Sequence, residues 1–179
     1  MGSEPSVVAG TRACEETVRA VYQRRSQEMF GFARRLGLED EDASDAVQES
    51  MLRLMRELGK GAAIEDPEAW AFRVLYRVCM DSHRLRSRVE GLTSRLTAFN
   101  APGRSDDGNP ERNLGTDSVW RAVDRLPARQ RAVLYLRYRA DMSYERIGLA
   151  LAISPGAARG HASTGLATLR RRLGEERES

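Results

Sequence analysis

Residues 70–84 constrain the fold most, because they predict a single helix with two incompatible faces. Their sequence is WAFRVLYRVCMDSHR. At 3.6 residues per turn, one side of this helix and its continuation carries Trp70, Arg73, Arg77, Arg84 and Arg88 within about 60° of arc. The opposite side carries Ala71, Val74, Leu75, Val78, Cys79 and Leu85. One face requires a hydrophobic core. The other is a row of mutually repelling cations and favours a polyanion such as a phosphate backbone.

Helical periodicity also occurs before residue 70. No stretch of the chain shows the alternation of apolar and polar residues that is typical of a half-buried strand. A first helix ending near Gly37 is predicted from apolar positions Val18, Val21, Tyr22, Met29, Ala33 and Leu36. A second helix opens at the acidic segment 40–45 and stops at Gly59, with apolar positions Val47, Met51, Leu54 and Leu58. Asp66 followed by Pro67 is a cap and first-turn signal for the third helix. The chain is therefore predicted to be all-α.

Residues 97–117 interrupt the helical pattern, because Pro, Gly, Asn and Asp remove helix propensity and apolar residues nearly vanish. We interpret this stretch as a flexible linker between two small helical domains. The predicted order is a disordered tail at 1–14, a first domain at 15–95, the linker at 96–117, a second domain at 118–173 and a tail at 174–179.

The second domain contains a candidate helix-turn-helix. Short helices are predicted at 119–126 and 129–138, on either side of Pro127. Ser143 can cap the next helix, and Ser154 can cap the last one, which has Pro155 at its first position. The helix that begins after Ser143 has the apolar positions Ile147, Leu149 and Leu151. Two helices joined by a tight turn, the second ending in three arginines, are typical of a DNA-binding unit, with an ordinary helical hairpin as the alternative.

Charge is distributed unevenly along a chain whose net charge is only +3. Residues 39–49 hold six acids and no base, whereas residues 118–179 hold twelve arginines against six acids. Separate acidic and basic stretches predict two kinds of partner, a basic protein surface and a nucleic acid.

Other function classes find little support in the sequence. His83 and His161 are isolated, and no metalloprotease motif, nucleophile elbow or glycine-rich phosphate loop occurs, so we expect neither enzymatic activity nor a cofactor. Cys14 and Cys79 form no metal-binding or disulfide pattern, and Cys79 is expected to be buried. No apolar run is long enough to span a bilayer, and no secretory signal is present. We expect a cytoplasmic protein without a membrane partner, a metal or a small-molecule substrate.

Three segments in series carry a family resemblance. They are DASDAVQESMLRL at 42–54, DPEAWAFRVLYRVCMDSHR at 66–84 and the stretch 121–173. They are similar, respectively, to region 2.2, regions 2.3 and 2.4, and region 4 of the group IV, or extracytoplasmic function (ECF), sigma factors of the sigma-70 family. The resemblance implies a factor that binds bacterial core RNA polymerase, through the β′ clamp helices and the β flap, and promoter DNA. It also admits an anti-sigma factor as a partner.

The resemblance implies roles for individual residues by position. The residues implied to dock on core polymerase are Asp45, Gln48, Glu49 and Leu52. The residues implied to contact and open the −10 element are Lys60, Ile64, Trp70, Arg73, Arg77, Arg84 and Arg88. The loop 59–66 is implied to capture a flipped base of that element. The residues implied to contact the −35 element, in a recognition helix, are Ser154, Ala157, Arg159, His161, Ser163, Thr164 and Arg170.

The chain departs from the family pattern in both DNA-reading helices. Arg77 stands where the family usually has Asn, which favours phosphate attraction over base reading. In the recognition helix only Arg159 is cationic before the terminal arginines, and Gly160 and Gly165 each cost about 1 kcal/mol relative to Ala. We expect weak or permissive binding at −35.

Two other functions stay open at this point. One is a stand-alone helix-turn-helix regulator whose first domain serves dimerisation, and the other is a polymerase-binding adaptor that has lost promoter recognition. A plain regulator needs neither the docking residues nor the arginine face, and an adaptor needs only the docking residues.

Overall fold

The computed structural model describes the backbone of residues 4–96 and 114–175 and the side chains of residues 10–85 and 119–174. Over the described backbone all regular structure is helical, which confirms the all-α prediction. The helices are α1 Glu4–Arg35, α2 Asp40–Gly59, α3 Pro67–Leu96, α4 Leu114–Asp124, α5 Ala128–Tyr138, α6 Tyr144–Leu151 and α7 Pro155–Glu175. We refer to α1–α3 as the N-terminal domain and to α4–α7 as the C-terminal domain. None of these described helices combines the length and the apolar character needed to cross a bilayer.

Helix boundaries in the N-terminal domain follow from local chemistry. The chain leaves α1 through Gly37, whose φ of 95° suits a residue without a Cβ. α2 begins with three acids at the positive end of its dipole. Asp66 caps α3, because its Oδ1 accepts a hydrogen bond from the Ala69 amide at 2.9 Å, and Pro67 occupies the first helical position. These three boundaries confirm the sequence predictions.

The helix-turn-helix is also capped as predicted. The Ser143 hydroxyl accepts a hydrogen bond from the Arg146 amide at 3.3 Å at the start of α6. The Ser154 hydroxyl accepts one from the Ala157 amide at 3.1 Å at the start of α7. Each cap satisfies a backbone donor that the first helical turn leaves without a partner.

The turn between α6 and α7 brings its backbone close to α6. Ala152 adopts the left-handed conformation with φ 53° and reverses the chain direction. The chain then passes so near Gly148 that a Cβ there would lie 2.8 Å from the Ile153 carbonyl oxygen. A glycine is therefore required at position 148 for this turn geometry.

The N-terminal domain is built on a fully buried core. Phe32 of α1 and Phe72 of α3 meet edge to face, with ring centroids 5.6 Å apart. Leu54 of α2 closes the same core and is fully buried. Each such burial contributes about 1.5–3 kcal/mol, and the aromatic pair adds about 0.5–1.5 kcal/mol. This core fixes which faces of α2 and α3 point outward.

The middle of α5 is buried on every side, and this helix of the C-terminal domain contacts the N-terminal domain. Its residues 132–136 are all buried, as expected of a helix surrounded by others. Tyr135 of α5 contacts Phe32 of the N-terminal domain and Trp120 of α4, with centroid distances of 5.6 and 5.9 Å. One hydrophobic cluster therefore runs continuously through both domains.

Three residues assigned to buried faces from periodicity are exposed instead. Tyr22, Leu85 and Leu149 are 50%, 64% and 55% exposed. Leu85 lies just past the end of α1, since His83, two residues earlier, already contacts the Leu36 carbonyl that follows α1. Tyr22 and Leu149 lie on the outer sides of α1 and α6, whose inner sides already carry buried side chains such as Val21 and Ile147.

Domain boundaries also differ from the predicted ones. α1 begins at Glu4, so residues 4–14, predicted as a disordered tail, are helical. Pro5 stands in the first turn, where a helix tolerates proline, and no further proline follows within α1. α3 ends at Leu96, α4 begins at Leu114 and α7 ends at Glu175, so residues 96 and 114–117 of the predicted linker and 174–175 of the predicted tail are helical too. The linker prediction for residues 97–113 lies outside the described residues.

Candidate nucleic-acid interface

The arginine face of α3 is exposed along its described length. Arg73, Arg77 and Arg84 all point to solvent. The Arg84 guanidinium lies 3.4 Å from the Asp81 carboxylate, in a pair whose side chains are 75% and 72% exposed. Such a pair is worth little in water, so the guanidinium remains available to a stronger anion. The side chain of Arg88, the last arginine predicted for this face, lies outside the described residues.

The buried part of α3 is wider than the predicted apolar stripe. Ala71, Val74, Leu75 and Cys79 are buried as predicted, and Val78 is half-buried. Phe72 and Tyr76, next to the exposed arginines, are buried as well. Burial raises the pKa of the Cys79 thiol to about 12. Trp70 is half-buried and packs against the core, so only part of its ring is available for stacking.

The loop between α2 and α3 offers a polar edge and one apolar side chain. Lys60 is exposed, and its Nζ lies 2.7 Å from Glu57 Oε1. Ile64 is half-buried and packs against the core. Gly61 adopts φ 79°, which bends the loop back towards the end of α2. A base entering this loop would therefore meet backbone groups and the edge of Ile64.

α2 presents the predicted docking residues on a single face. Asp45, Gln48 and Leu52 are exposed at i, i+3 and i+7. Glu49 is half-buried and binds Arg53 at 2.6 Å and Arg56 at 3.7 Å. The hydrogen bond from Arg53 is the main reason that the pKa of Glu49 is lowered. The charge of Glu49 is thus partly offset within α2, whereas the ion pairs described in the structure include none at Asp45.

α7 has a buried face and an exposed face. Ala158, Ala162, Gly165 and Leu169 face the domain core. The predicted −35 residues Ser154, Ala157, Arg159, Ser163, Thr164 and Arg170 are exposed, and His161 is half-buried. Small side chains dominate the exposed face, so close approach to a groove is sterically easy while base-reading groups are few.

The single cation in the middle of this face is partly engaged by α6. The Arg159 guanidinium lies 3.9 Å from the Glu145 carboxylate and 5.7 Å from the centre of the Tyr144 ring. Both partners of the ion pair are more than half exposed, so it holds Arg159 only weakly. Arg159 can therefore leave Glu145 for a phosphate.

The structure brings together four charged residues in a contact that no sequence pattern predicted, although Asp66 itself was predicted as a helix cap. The Arg146 guanidinium of α6 binds the Asp66 carboxylate at 2.6 and 3.0 Å and Glu68 at 2.9 Å. Arg25 of α1 binds Glu68 at 2.9 Å and donates to the Ala140 carbonyl at 3.2 Å. We call Arg25, Asp66, Glu68 and Arg146 the interdomain ion cluster. Asp66 also caps α3, so one carboxylate serves both the helix and the domain contact.

The acids of the interdomain ion cluster are stabilised in their charged forms. Burial would raise the pKa of Asp66, but hydrogen bonds from Arg146 and from the Ala69 amide outweigh it and lower the pKa. Burial opposes ionisation of Glu68 in the same way, and the hydrogen bonds from Arg146 and Arg25 lower its pKa. In turn, the pKa of Arg146 is raised, mainly by its hydrogen bond to Asp66.

A second polar contact joins α1 to the C-terminal domain. Arg35 donates to the Asp124 carboxylate at 2.8 and 2.9 Å, and its guanidinium lies 4.7 Å from the centre of the Trp120 ring. The Arg131 side chain donates to the Arg35 carbonyl at 2.7 Å. In a chain whose basic residues are almost all arginine, none of these arginines carried a distinguishing sequence signal.

The exposed faces of α2, α3 and α7 define a class of protein. A helical domain with an acidic face and an arginine face is followed by a capped helix-turn-helix, the unit that commonly reads DNA. The chain thus has the architecture of a two-domain helical protein whose second domain contains a helix-turn-helix.

Comparison with known families places the chain more closely. Residues 21–89 match the family model described as Sigma-70 region 2, and residues 116–169 match Sigma-70, region 4. Together these matches cover more than half of the chain, in the same order as the two domains. The chain belongs to the sigma-70 family and, within it, to the extracytoplasmic function group.

Curated relatives from several bacteria are similar over most of this chain. The ECF RNA polymerase sigma factor SigE of Mycolicibacterium smegmatis is 28% identical over 90% of the chain. The chain spans 63% of the length of SigE, just under two thirds. The RNA polymerase sigma factor CarQ of Myxococcus xanthus is 28% identical, over 87% of this chain and 88% of CarQ.

Two solved structures share the fold. One is the sigma factor RpoE in complex with the anti-sigma factor NepR from Bartonella quintana, with a TM-score of 0.68 and 19% identity. The match covers 89% of this chain and 95% of RpoE. The other is CnrH in complex with the cytosolic domain of CnrY, with a TM-score of 0.63 and 20% identity over 94% of this chain and 95% of CnrH.

Proposed function

We propose that this protein binds bacterial core RNA polymerase and directs it to specific promoters, where the N-terminal domain opens the −10 element and the C-terminal domain contacts the −35 element. The observation that carries the proposal is the presence of three outward faces on rigid, core-anchored helices. Each face has the chemistry that its role requires. In this role the protein acts in the cytoplasm as a binding factor, and the polymerase performs the catalysis.

The acidic face of α2 suits docking on a basic protein surface. Asp45 and Gln48 are exposed and can pair with cationic or amide groups, and Leu52, one turn further along the face, adds an apolar contact that is 55% exposed. Charged groups on such a surface steer association and fix its register, while the apolar contact adds burial. Glu49 contributes less charge because Arg53 already binds it.

The arginine face of α3 suits a melted strand. Arg73, Arg77 and Arg84 can follow the strand backbone, and the exposed part of Trp70 offers a stacking surface. A stacked base is worth about 1–3 kcal/mol. With Arg77 in place of an amide, this helix relies on phosphate attraction, so its base selectivity depends on the loop at Ile64.

The exposed face of α7 suits permissive contact with duplex DNA. The N-terminus of the helix and Ser154 can approach phosphate, and Arg159 supplies one mobile cation. With few base-reading side chains, affinity at −35 depends mainly on backbone contacts. An anti-sigma factor is a further candidate partner, because the similar sigma factor RpoE is seen in complex with the anti-sigma factor NepR.

The decisive experiment is run-off transcription from genomic fragments with purified core RNA polymerase, with and without the protein. Discrete transcripts that require the protein are the expected result. If core polymerase binds the protein but no specific transcript starts, the protein is an adaptor. If it binds DNA but not polymerase, the protein is a stand-alone regulator.

Charge reversal tests the docking face directly. We expect Asp45→Lys to weaken binding to core polymerase at least tenfold, because it places a cation opposite a basic surface. Glu49→Lys should have a smaller effect, since Arg53 and Arg56 already offset that carboxylate. Glu15→Lys, which reverses an exposed acid on α1, is the matched control. Equal binding by Asp45→Lys and Glu15→Lys would remove α2 from the docking surface.

A further inference from the structure

The exposed surface of α2 changes sign along its length. Residues 40–45 hold four acids and no base. One helical turn later, residues 49–56 hold a single acid, Glu49, and two arginines, Arg53 and Arg56. Both arginines contact the same carboxylate, at 2.6 and 3.7 Å. The helix therefore carries a net negative charge at its N-terminal end and a net positive charge towards its C-terminal end.

Arg56 lies on the docking face of α2 and not on its flank. At 3.6 residues per turn, Asp45, Leu52 and Arg56 fall within about 40° of arc. The side chain of Arg56 is 61% exposed, and that of Leu52, one turn earlier, is 55% exposed. Asp45 and Arg56 are about 16 Å apart along the helix axis. A partner that covers Asp45 and Leu52 and extends one turn further therefore covers Arg56 as well.

The cation at position 56 constrains what such a partner can be. A surface that is basic throughout attracts Asp45 but repels Arg56, and like charges that face each other across an interface suppress binding. At physiological ionic strength, charges are screened beyond about 8 Å, so attraction at Asp45 does not cancel repulsion about 16 Å away.

The counter-charge within α2 is too small to hide Arg56 from a partner. Glu49 is the carboxylate that Arg56 contacts, and Arg53 binds it more closely, at 2.6 Å against 3.7 Å. Ion pairs between side chains as exposed as these are weak in water. Arg56 can therefore exchange Glu49 for an acid of the partner while Arg53 keeps its contact.

We infer that the surface on which α2 docks carries an acidic group opposite Arg56 as well as basic groups opposite Asp45, and that Arg56 thereby fixes the direction in which α2 lies on it. The inference rests on the proposed function, which identifies the partner as core RNA polymerase. In the reverse direction Arg56 would face the basic groups and Asp45 the acidic one. Repulsion at both ends would then exclude that arrangement, which makes Arg56 a specificity-determining residue.

Charge reversal at Arg56 has opposite effects on the two kinds of partner surface. The full chain with Arg56→Glu is titrated with purified core RNA polymerase in the absence of DNA, and binding is followed by the anisotropy of a fluorescent label. We expect the dissociation constant to rise about tenfold, because two acids then face each other. On a uniformly basic surface the same substitution removes a repulsion and lowers the dissociation constant. Binding that is tighter or unchanged overturns the inference.

Milder substitutions separate loss of charge from loss of structure. Arg56→Lys keeps the charge and should bind as the parent chain does, whereas Arg56→Gln should lie between the parent and Arg56→Glu. Arg12→Glu, the same reversal at an exposed arginine of α1, is the matched control and should leave binding unchanged. Arg56 stands in the last turn of α2, where a cation favours the helix, so circular dichroism is recorded for each variant. Weakening by Arg56→Gln at unchanged helix content supports the inference, and parent-like binding by Arg56→Gln contradicts it.

Comparison with Asp45→Lys separates the inference from the proposed function. If Asp45→Lys weakens binding and Arg56→Glu does not, α2 still docks on the polymerase, and the surface opposite Arg56 carries no acid. If neither variant changes binding, α2 is not the docking helix. If the parent chain does not bind core polymerase, the proposed function fails and the inference fails with it. If Arg56→Glu weakens binding to promoter DNA but not to polymerase, Arg56 is a phosphate contact, and the inference is wrong.

Discussion

Replacement by alanine is expected to change the free energy of unfolding differently at three glycines of the helix-turn-helix. At Gly148 an added Cβ would lie 2.8 Å from the Ile153 carbonyl oxygen, which is part of the turn backbone. At Gly165 it would lie 3.0 Å from Leu134 Cδ1, the end of a flexible side chain. At Gly160 it would meet nothing within 4 Å.

The sizes of these effects follow from two opposing contributions to the free energy of unfolding. Replacing glycine by alanine within a helix stabilises it by about 1 kcal/mol. Gly160→Ala receives this gain in full. Gly148→Ala must also push the turn away from α6, which costs about 1–3 kcal/mol, as overpacking of an interior does. The two variants should therefore differ by about 2 kcal/mol, with Gly165→Ala between them.

Urea unfolding of the full chain, followed by tryptophan fluorescence, measures this difference. With a slope of about 2 kcal/mol per molar urea, the midpoints of Gly160→Ala and Gly148→Ala should lie about 1 M apart. The parent chain should fall between them. If Gly148→Ala raises the midpoint as much as Gly160→Ala does, the turn is not tight and the reasoning from the close approach is wrong.

Three further outcomes are expected. Arg73→Ala should reduce permanganate reactivity of −10 thymines more than Arg84→Ala does, because Asp81, one turn before Arg84, partly offsets the charge of Arg84. Each substitution should lower the salt slope of DNA binding by about 0.7–0.9. Equal effects on permanganate reactivity would contradict the role of Asp81. Ala152→Gly should stabilise the chain by about 0.5 kcal/mol in urea, because glycine relieves the left-handed strain and gives back part of the gain as backbone entropy. Asp66 and Glu68 have lowered pKa values, so the stability that their ion pairs contribute is fully present above about pH 4 to 5 and is lost as the pH falls through those lowered values. A urea midpoint that stays constant from about pH 5 to pH 3 would refute this.

Local signals in the sequence predicted the helices and their caps well. The Asp66–Pro67 start of α3, the acidic start of α2 and the two serine caps of the helix-turn-helix depend on a few adjacent residues. The helical period likewise predicted which faces of α2, α3 and α7 point outward, with Leu85 of α3 as an error. It also assigned Tyr22 of α1 and Leu149 of α6 wrongly to buried faces. Periodicity indicates a face but not how far the neighbouring helix extends.

The contact between the domains was beyond the reach of the sequence. It joins residues far apart in the chain, such as Arg25, Glu68 and Arg146, and arginine is so frequent here that no single one stands out. Gly31 is an unfavourable residue within α1, and the structure explains it, because a Cβ there would overlap the hydroxyl of Tyr135, more than a hundred positions away in the chain. The partial neutralisation of Glu49 and Arg159 is likewise a product of side-chain placement.

The continuous hydrophobic cluster across both domains has a consequence for how the chain responds to damage in its core. Tyr135 covers one side of Phe32, and both side chains belong to the same buried cluster. Loss of packing in one domain therefore uncovers apolar surface of the other. A substitution that weakens packing at Phe32 should lower the stability of both domains and not of the N-terminal domain alone.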